Sequence, residues 1–142
     1  LTRTMPDIQL NADRLLFPEN LQIQGYDIGI IIGNALDNAI EACKKLKEKN
    51  KSADAFITLS SFTRGKMFFI EVENSFDRKI TRKKYCEFPV TDKKDKKAHG
   101  IGLSNIKNTA EKYHGGVDWT VDNRKFTLTV MLQNERRDES EL

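Results

Sequence analysis

The segment Ile32-Gly33-Asn34-Ala35-Leu36-Asp37-Asn38-Ala39-Ile40-Glu41-Ala42 constrains the fold more than any other part of the chain. Around it, apolar residues recur with a period near 3.6, which predicts a helix from Asp27 to about Lys49. Asn34 and Asn38 are four residues apart, so they share a stripe beside the apolar face, extended by Glu41. Asparagine is a poor helix former, so this stripe indicates either a polar rim that meets a ligand or exposed helix positions.

Two alternating runs follow the helix, Ala55–Phe62 and Met67–Asn74, and the four residues between them predict a hairpin turn. On one face of the second run the side chains are core-like except for the last, which is an amide: Phe68, Ile70, Val72 and Asn74. Such an amide is able to accept a hydrogen bond from the exocyclic amine of adenine and to donate one to a ring nitrogen. The end of this strand is therefore a second candidate site, although the pattern alone is common.

A long basic segment, residues 77–98, shows no clean period and predicts a loop. It carries nine basic and four acidic residues, a run that is most often a solvated surface. His99-Gly100-Ile101-Gly102-Leu103 comes next and predicts a glycine turn that opens a helix over Gly100–Tyr113. His114 then caps the helix and Gly115-Gly116 stop it. Because a helix N-terminus attracts phosphate, the basic run and the turn together predict a phosphate site.

The last third of the chain predicts two strands joined by a turn at Asn123-Arg124, with an inward face of Val117, Trp119, Val121, Phe126, Leu128, Val130 and Leu132. An edge strand and loops are predicted within residues 1–26. The element order predicts an α+β fold, a two-layer sandwich with helices on one face of a mostly antiparallel, mixed sheet. The domain itself is predicted over residues 27–132, followed by a charged, disordered tail over 133–142.

Composition excludes several classes of protein. The chain of 142 residues is long enough for one domain with a real core, and its longest apolar run, near Ile28–Ile32, is too short to span a membrane. The two cysteines, Cys43 and Cys86, lack metal-type spacing, and Cys43 falls on the apolar face of the first helix. The formal charge of +3 does not indicate nucleic acid, and the basic segment is not interleaved with aromatic residues beyond Tyr85 and Phe88.

Taken in order, these motifs resemble the GHKL superfamily, which includes histidine-kinase catalytic domains, gyrase and MutL, over roughly residues 27–132. Asn34-Ala-Leu-Asp-Asn38-Ala is similar to the N box, which implies that Asn38 binds Mg²⁺ and that Asn34 is a nearby catalytic contact. Gly100-Ile101-Gly102-Leu103 is similar to the G2 box, which implies phosphate contacts beside His99. The basic segment takes the place of the ATP lid, with Lys93 or Lys94 reaching the terminal phosphates. The resemblance implies a Bergerat-type fold and ATP with Mg²⁺ as cofactors.

Two positions depart from the family pattern. The adenine box usually has Asp followed by glycines, whereas this chain has Asn74-Ser75-Phe76, which is similar to the Agr-type and citrate-type sensor kinases. Asn74 and Phe76 are therefore the expected adenine contacts. Hydrolytic members carry Glu four residues before the metal-binding Asn, and here that position is Asn34, which is a poor proton acceptor. The resemblance therefore implies a site that holds ATP for transfer to another group.

The implied activity is histidine protein kinase activity: γ-phosphoryl transfer to a histidine on a separate domain of the same kinase, with a response regulator as an indirect partner. His99 and His114 do not sit on a presenting helix. The chain is expected to be a monomeric piece of a longer, homodimeric kinase, the cytoplasmic domain of a membrane-bound sensor, with a lid that is unordered without ATP. Two alternatives stay open: a docking module that binds nucleotide weakly, and an anti-sigma-type serine kinase of the same fold.

Overall fold

The computed structural model describes residues 7–76 and 93–135. The elements follow in the order β1 (Ile8–Arg14), α1 (Gly25–Lys49), β2 (Ala55–Arg64), β3 (Met67–Ser75), α2 (Lys93–Lys112), β4 (Gly116–Asp122) and β5 (Lys125–Gln133). The five strands form one mixed sheet in the order β1-β2-β3-β5-β4, in which only the β1–β2 pair is parallel. This architecture confirms the predicted α+β sandwich, and β1 is the predicted edge strand.

Both helices pack on one face of the sheet and on each other. α1 lies over β2 and β3, and α2 lies over β4 and β5. The inward side chains alternate along the strands as predicted, because successive residues of a strand point to opposite faces. They bury Phe68, Ile70, Val72 and Asn74 on β3, Phe126, Leu128, Val130 and Leu132 on β5, and Trp119 on β4. None of the described helices combines the length and the apolar character needed to cross a bilayer.

The hairpin turns follow from local chemistry. Gly65 has φ +62°, which suits a two-residue turn, so β2 extends to Arg64 and the predicted four-residue turn was too long. Asn123 and Arg124 have φ values of 47° and 62° and form the tight turn between β4 and β5 at the predicted position. The paired left-handed residues of such a turn match the right-handed twist of the flanking strands.

The first helix and the last described strand each extend beyond their predicted bounds. α1 begins at Gly25, two residues before the predicted start, after an extended Gln24. At the other end β5 includes Gln133, and the next residue, Asn134, donates its backbone N–H to the Lys66 carbonyl at 2.7 Å. The side-chain oxygen of Asn134 in turn accepts from the backbone N–H of Gln22 at 2.6 Å. The predicted tail is therefore tied to the domain at its first residues, and residues 136–142 lie outside the described ranges.

The C-terminus of α2 confirms His114 as a capping residue. His114 is left-handed, with φ 56°, and its backbone N–H donates to the Glu111 carbonyl at 3.1 Å. The N–H of Gly115 donates to the Ala110 carbonyl at 3.0 Å. These two bonds are those of a Schellman motif, which satisfies the last carbonyls of the helix. A histidine occupies the left-handed position that usually falls to glycine, and the glycine comes one residue later.

Gly115 is needed for a close approach to β5. A Cβ on Gly115 would lie 1.7 Å from the carbonyl oxygen of Met131 and 2.6 Å from its carbonyl carbon. The backbone of α2 and the backbone of β5 meet here, since Gln133 donates its N–H to the Tyr113 carbonyl at 2.9 Å. Gly116 is not restricted in this way, because a Cβ there would have the Met131 methyl at 3.8 Å as its nearest contact.

We therefore expect Gly115→Ala to lower the free energy of unfolding by about 3 kcal/mol or more, since the clash involves backbone of the sheet. The matched control Gly116→Ala, one residue further along the chain, should change it by less than about 0.5 kcal/mol. Chemical denaturation of the two variants beside the parent chain measures both values. Equal effects of the two substitutions would contradict this account of the α2–β5 approach.

Candidate functional site

The two asparagines of α1 have different surroundings. Asn34 is half-buried, and its Nδ2 donates to the Ile30 carbonyl one turn earlier at 2.8 Å. Its Oδ1 points at α2, where a Cβ on Gly102 would approach that oxygen to 3.3 Å. Asn34 therefore packs the two helices together, and an amide that is bonded in this way cannot act as a proton acceptor.

Asn38 lies one turn further along the same stripe of α1 and is also half-buried. Within residues 7–76 and 102–135, its carboxamide makes no hydrogen bond, so both of its ends remain available to a ligand. α1 and α2 are antiparallel, because Asp27 contacts Lys112 whereas Asn34 contacts Gly102. Asn38 is therefore on the side of α1 that faces the beginning of α2. An amide oxygen at such a place is a suitable ligand for a hard cation.

The helix that carries the glycines begins earlier than predicted. α2 starts at Lys93, so Gly100 and Gly102 lie inside a helix and do not form a turn that opens it. The physical reason is that the sequence Lys93-Lys-Asp-Lys-Lys-Ala98 is rich in good helix formers, which extend the helix backward across the glycines. In a continuous helix the N–H groups of these glycines bond to carbonyls one turn earlier. The prediction of a helix N-terminus at Gly100 was therefore wrong for this form of the protein.

The other predicted phosphate contacts are only partly described. Leu103 is 7% exposed, so its side chain belongs to the core and only its backbone is available to a ligand. The predicted contacts Lys93, Lys94, His99, Gly100 and Ile101 have backbones in α2, and their side chains lie outside the described part of the chain. Of the predicted lid over residues 77–98, residues 77–92 also lie outside it, and so does the test of the lid's expected disorder. These assignments stay predictions.

The end of β3 has a dense set of hydrogen bonds. Asn74 is 1% exposed, and its Nδ2 donates to the carbonyl oxygen of Ser75 at 2.8 Å. The Ser75 hydroxyl accepts from the backbone N–H of Phe56 at 2.9 Å. The backbone N–H of Phe76 donates to the Arg124 carbonyl at 2.7 Å. Nδ2 carries two hydrogens and this bond engages one of them, so Asn74 retains one N–H donor and its Oδ1 acceptor, and its predicted adenine contact stays a prediction.

α1 also reaches this strand end. Cys43 is fully buried, and its Sγ donates to the Phe56 carbonyl at 3.6 Å. Its full burial confirms the predicted small buried hydrophobe, and the same burial raises the pKa of the thiol. Five residues separate Asn38 from Cys43, which is about 7.5 Å along a helix axis. The Cys43 contact therefore holds α1 against β2 beside the end of β3, where the Phe56 N–H is bonded to the Ser75 hydroxyl.

An ion pair between a buried carboxylate and an exposed lysine, at the other end of α1, was not predicted from the sequence. Asp27 is 1% exposed, and it accepts from Lys112 Nζ at 2.9 Å and from the Tyr113 hydroxyl. The same hydroxyl accepts from the backbone N–H of Gln24 at 3.2 Å. The Tyr113 hydroxyl, followed by Lys112, lowers the pKa of Asp27. Burial, and then the hydrogen bond to Asp27, raises the pKa of Tyr113.

This cluster joins the N-terminus of α1 to the C-terminus of α2. The carboxylate and the ammonium each lie at the helix end whose dipole favours that charge. An aspartate in the first turn of a helix usually faces solvent, so the local pattern did not indicate that Asp27 is buried. The sequence feature that could have revealed the cluster is Lys112-Tyr113. This pair places a cation and a hydroxyl at the end of the second helix, beside its apolar face.

Comparison with known proteins was consistent with this fold. A family model described as GHKL domain matches residues 23–133. No match was found among the curated proteins searched. Among solved structures, the nucleotide-free catalytic domain of histidine kinase ThkA is similar at 19% identity with a TM-score of 0.64, covering 95% of this chain and 84% of that one.

Two longer histidine kinases have the same fold over part of their length. The Acinetobacter baumannii histidine kinase AdeS matches at 15% identity with a TM-score of 0.61, covering 92% of this chain and 56% of its own. The Erythrobacter litoralis EL346 blue-light activated histidine kinase matches at 15% identity with a TM-score of 0.58, covering 96% of this chain and 37% of its own. This chain thus spans about half or less of either kinase.

The Asp27 cluster predicts a specific pH dependence. A carboxyl whose pKa is lowered on folding contributes stability above its unfolded pKa of about 3.9, and that stability is lost as the pH falls through the folded pKa. We expect Asp27→Asn to lower the free energy of unfolding by about 1.5–3 kcal/mol at pH 7, with a difference that shrinks below about pH 4. Denaturation curves at several pH values measure it.

The control for this series is Asp37→Asn, since Asp37 is an exposed carboxylate on the same helix. Its effect should stay within about 0.5 kcal/mol at neutral pH. A difference between parent and Asp27→Asn that stayed constant from pH 7 to below pH 3 would contradict the assignment of a lowered pKa to Asp27.

Proposed function

The chain belongs to the GHKL domain family, and we propose that it is the Mg²⁺-ATP-binding catalytic domain of a two-component histidine kinase. Its ligand would be ATP with Mg²⁺, and its reaction would be transfer of the γ-phosphoryl group. The observation that supports it most directly is the half-buried carboxamide of Asn38, which has no hydrogen bond within the described residues and stands on the α1 stripe that faces α2. Asn74, at the end of β3 to which Cys43 of α1 is linked through Phe56, is the second residue of the proposed site.

The donor set fits magnesium. Mg²⁺ usually keeps several waters and takes one or two protein oxygens together with phosphate oxygens, so a single amide oxygen from Asn38 is a sufficient protein ligand. When bound, the ion would supply charge neutralisation at the phosphates. Because Gly102 has no side chain, α2 approaches Asn34 closely, and the distance between the two helices is short at this point.

The geometry also favours transfer over hydrolysis. A water that attacks the γ-phosphate needs a group that accepts its proton, and Asn34 donates to Ile30 and directs only an amide oxygen toward α2. Catalysis of phosphoryl transfer relies mainly on position and charge. A domain with this arrangement would hold the nucleotide until a separate acceptor group is presented.

The acceptor in this proposal is a histidine on another domain of the same kinase, with a response regulator further along the phosphate path. His114 fits no acceptor role, because it is the left-handed cap of α2. We place the domain in the cytoplasmic part of a membrane-bound sensor that is a homodimer, with this piece a monomer on its own. No nucleic-acid partner is part of the proposal.

One observation favours the alternative of a docking module that binds nucleotide weakly. With α2 continuous from Lys93, the glycine N–H groups that would meet phosphate are engaged within the helix. A triphosphate would have to compete with those bonds. The two functions differ in whether metal-dependent nucleotide binding exists at all, which a direct binding measurement decides.

Calorimetric titration with a non-hydrolysable ATP analogue, with and without Mg²⁺, tests the proposal. We expect Mg²⁺-dependent binding by the parent chain. Asn38→Ala should weaken the binding at least about tenfold in the presence of Mg²⁺ and leave stability nearly unchanged, since alanine is a better helix former than asparagine.

The matched control is Asn20→Ala, which removes an exposed asparagine from the segment before α1. It should bind as the parent chain does. Absence of binding by the parent at millimolar ligand would favour the docking module, and equal metal-dependent binding by Asn38→Ala would remove Asn38 from the site.

A further inference from the structure

The two halves of α1 differ in how well their own sequences favour helix. Residues 25–33 read Gly-Tyr-Asp-Ile-Gly-Ile-Ile-Ile-Gly, in which glycine and isoleucine account for seven of nine positions. Both residue types are weaker helix formers than alanine, glycine because of its backbone entropy and isoleucine because of its branched Cβ. Residues 34–49 contain no glycine and are rich in alanine, glutamate and lysine. The first half therefore depends on contacts outside the helix, whereas the second half favours helix by itself.

Neither packing nor backbone conformation requires the glycines inside this first half. A Cβ placed on Gly29 or on Gly33 would have no atom within 4 Å, and neither residue has a positive φ. They differ in this from Gly115, where the backbone of β5 leaves no room for a Cβ. The helix also begins without a side-chain cap from Gln24. The remaining physical effect of the two glycines is a helix that is easier to open.

The polar contacts that hold the start of α1 converge on one hydroxyl group. The Tyr113 hydroxyl donates to the buried carboxylate of Asp27, and it accepts from the backbone N–H of Gln24 at 3.2 Å. It therefore joins both the first turn of α1 and the residue before the helix to the end of α2. The apolar part of the contact comes from Ile28 and Ile31, which are 8% and 0% exposed.

The second half of α1 is held by a separate set of contacts. Cys43 Sγ donates to the Phe56 carbonyl of β2 at 3.6 Å. At the end of the helix the backbone N–H of Asn50 donates to the Leu46 carbonyl at 2.9 Å. These contacts do not involve Tyr113, so they persist if the start of the helix opens.

One side chain couples the two halves. Asn34 is the first residue of the second half, and its Nδ2 donates to the carbonyl of Ile30 in the first half at 2.8 Å. Its Oδ1 faces Gly102 of α2. Opening of the first half would remove the acceptor that orients the Asn34 amide. The contact between α1 and α2 at Gly102 would therefore change, although the second half remains a helix.

We propose that residues 24–33 form a segment that opens locally while residues 34–49 stay helical, and that the Tyr113 hydroxyl is the contact that keeps this segment closed. A partner or a load that acts on the chain before α1 then alters the Asn34 contact with α2 and leaves Asn38 on an intact helix. This conformational device does not depend on the identity of any ligand, so its test is separate from that of the proposed function.

Residue-resolved hydrogen exchange of the whole native chain, in low concentrations of denaturant, tests the proposal. The amides of residues 30–33 should exchange through an opening that depends only weakly on denaturant. The amides of residues 40–46 should exchange more slowly, through global unfolding, which depends strongly on denaturant. Equal exchange free energies and equal denaturant dependence for the two sets would overturn the proposal, because the helix would then open only as a whole.

Two substitutions separate the contact of Tyr113 from general stability. Tyr113→Phe keeps the ring and removes the hydroxyl, and it should speed exchange at residues 30–33 by about tenfold or more. The matched control Tyr26→Phe removes a hydroxyl from a ring that is 76% exposed, and it should change exchange there by less than about twofold. Unchanged exchange at residues 30–33 in Tyr113→Phe would show that its hydroxyl does not hold the segment.

A substitution in the second half tests whether the halves are independent. Ala39→Gly should speed exchange at residues 40–46 by about fivefold through its lower helix propensity. It should leave residues 30–33 unchanged, since residue 39 stays helical in the proposed open state. Equal acceleration of both sets would contradict the proposal.

A stabilising substitution gives the opposite result without any risk to folding. Gly29→Ala has room for its methyl group and should slow exchange at residues 30–33 by about fivefold. Unchanged or faster exchange in this variant would contradict the role given to the glycines.

Discussion

The close antiparallel contact between α1 and α2 is the constraint on which the rest of the domain depends. At one end the buried carboxylate of Asp27 binds Lys112 and Tyr113, and further along Asn34 meets a helix position without a side chain, Gly102. Each helix covers half of the sheet, so their separation sets how the two hairpins lie relative to each other. The C-terminus of α2 is fixed again where Gly115 allows contact with β5.

Amides stand at two positions where the resemblance to GHKL domains implies acids in other members. Asn34 and Asn74 each use Nδ2 to bond a backbone carbonyl nearby. In the proposed function, neutral side chains at these positions would oppose a polyphosphate less than carboxylates would. Neither amide can serve as a general base, so under the proposed function these two residues would hold and orient the ligand.

Most of the fold could be predicted from the sequence, because it rests on local patterns. Alternation along β3 and β5, the spacing of apolar residues in α1, and the Asn123-Arg124 turn each depend on a few neighbouring residues. The start of α2 could not be located, since glycines signal a turn whereas the lysines before them favour helix. The Asp27 cluster was also beyond reach, because it joins residues 85 positions apart that have ordinary local roles. For the candidate site, the residue types at Asn34, Asn38 and Asn74 could be identified. The sequence does not determine their side-chain rotamers, and it is the rotamer that lets Nδ2 of Asn34 and of Asn74 bond a carbonyl of its own helix or strand.

The sheet order has a consequence for how the chain folds as it is synthesised. β5 is the last strand to be made, yet it lies between β3 and β4 in the finished sheet. From the completion of β3 until β5 emerges, one long edge of the first hairpin has no neighbour, and unpaired strand edges are the usual starting points of misassembly. The core can close only when nearly the whole domain is present. Contacts between residues far apart in the sequence slow folding. Because β5 is central in the sheet and is synthesised after the other described strands, the sheet can be completed only at the end of synthesis of the domain.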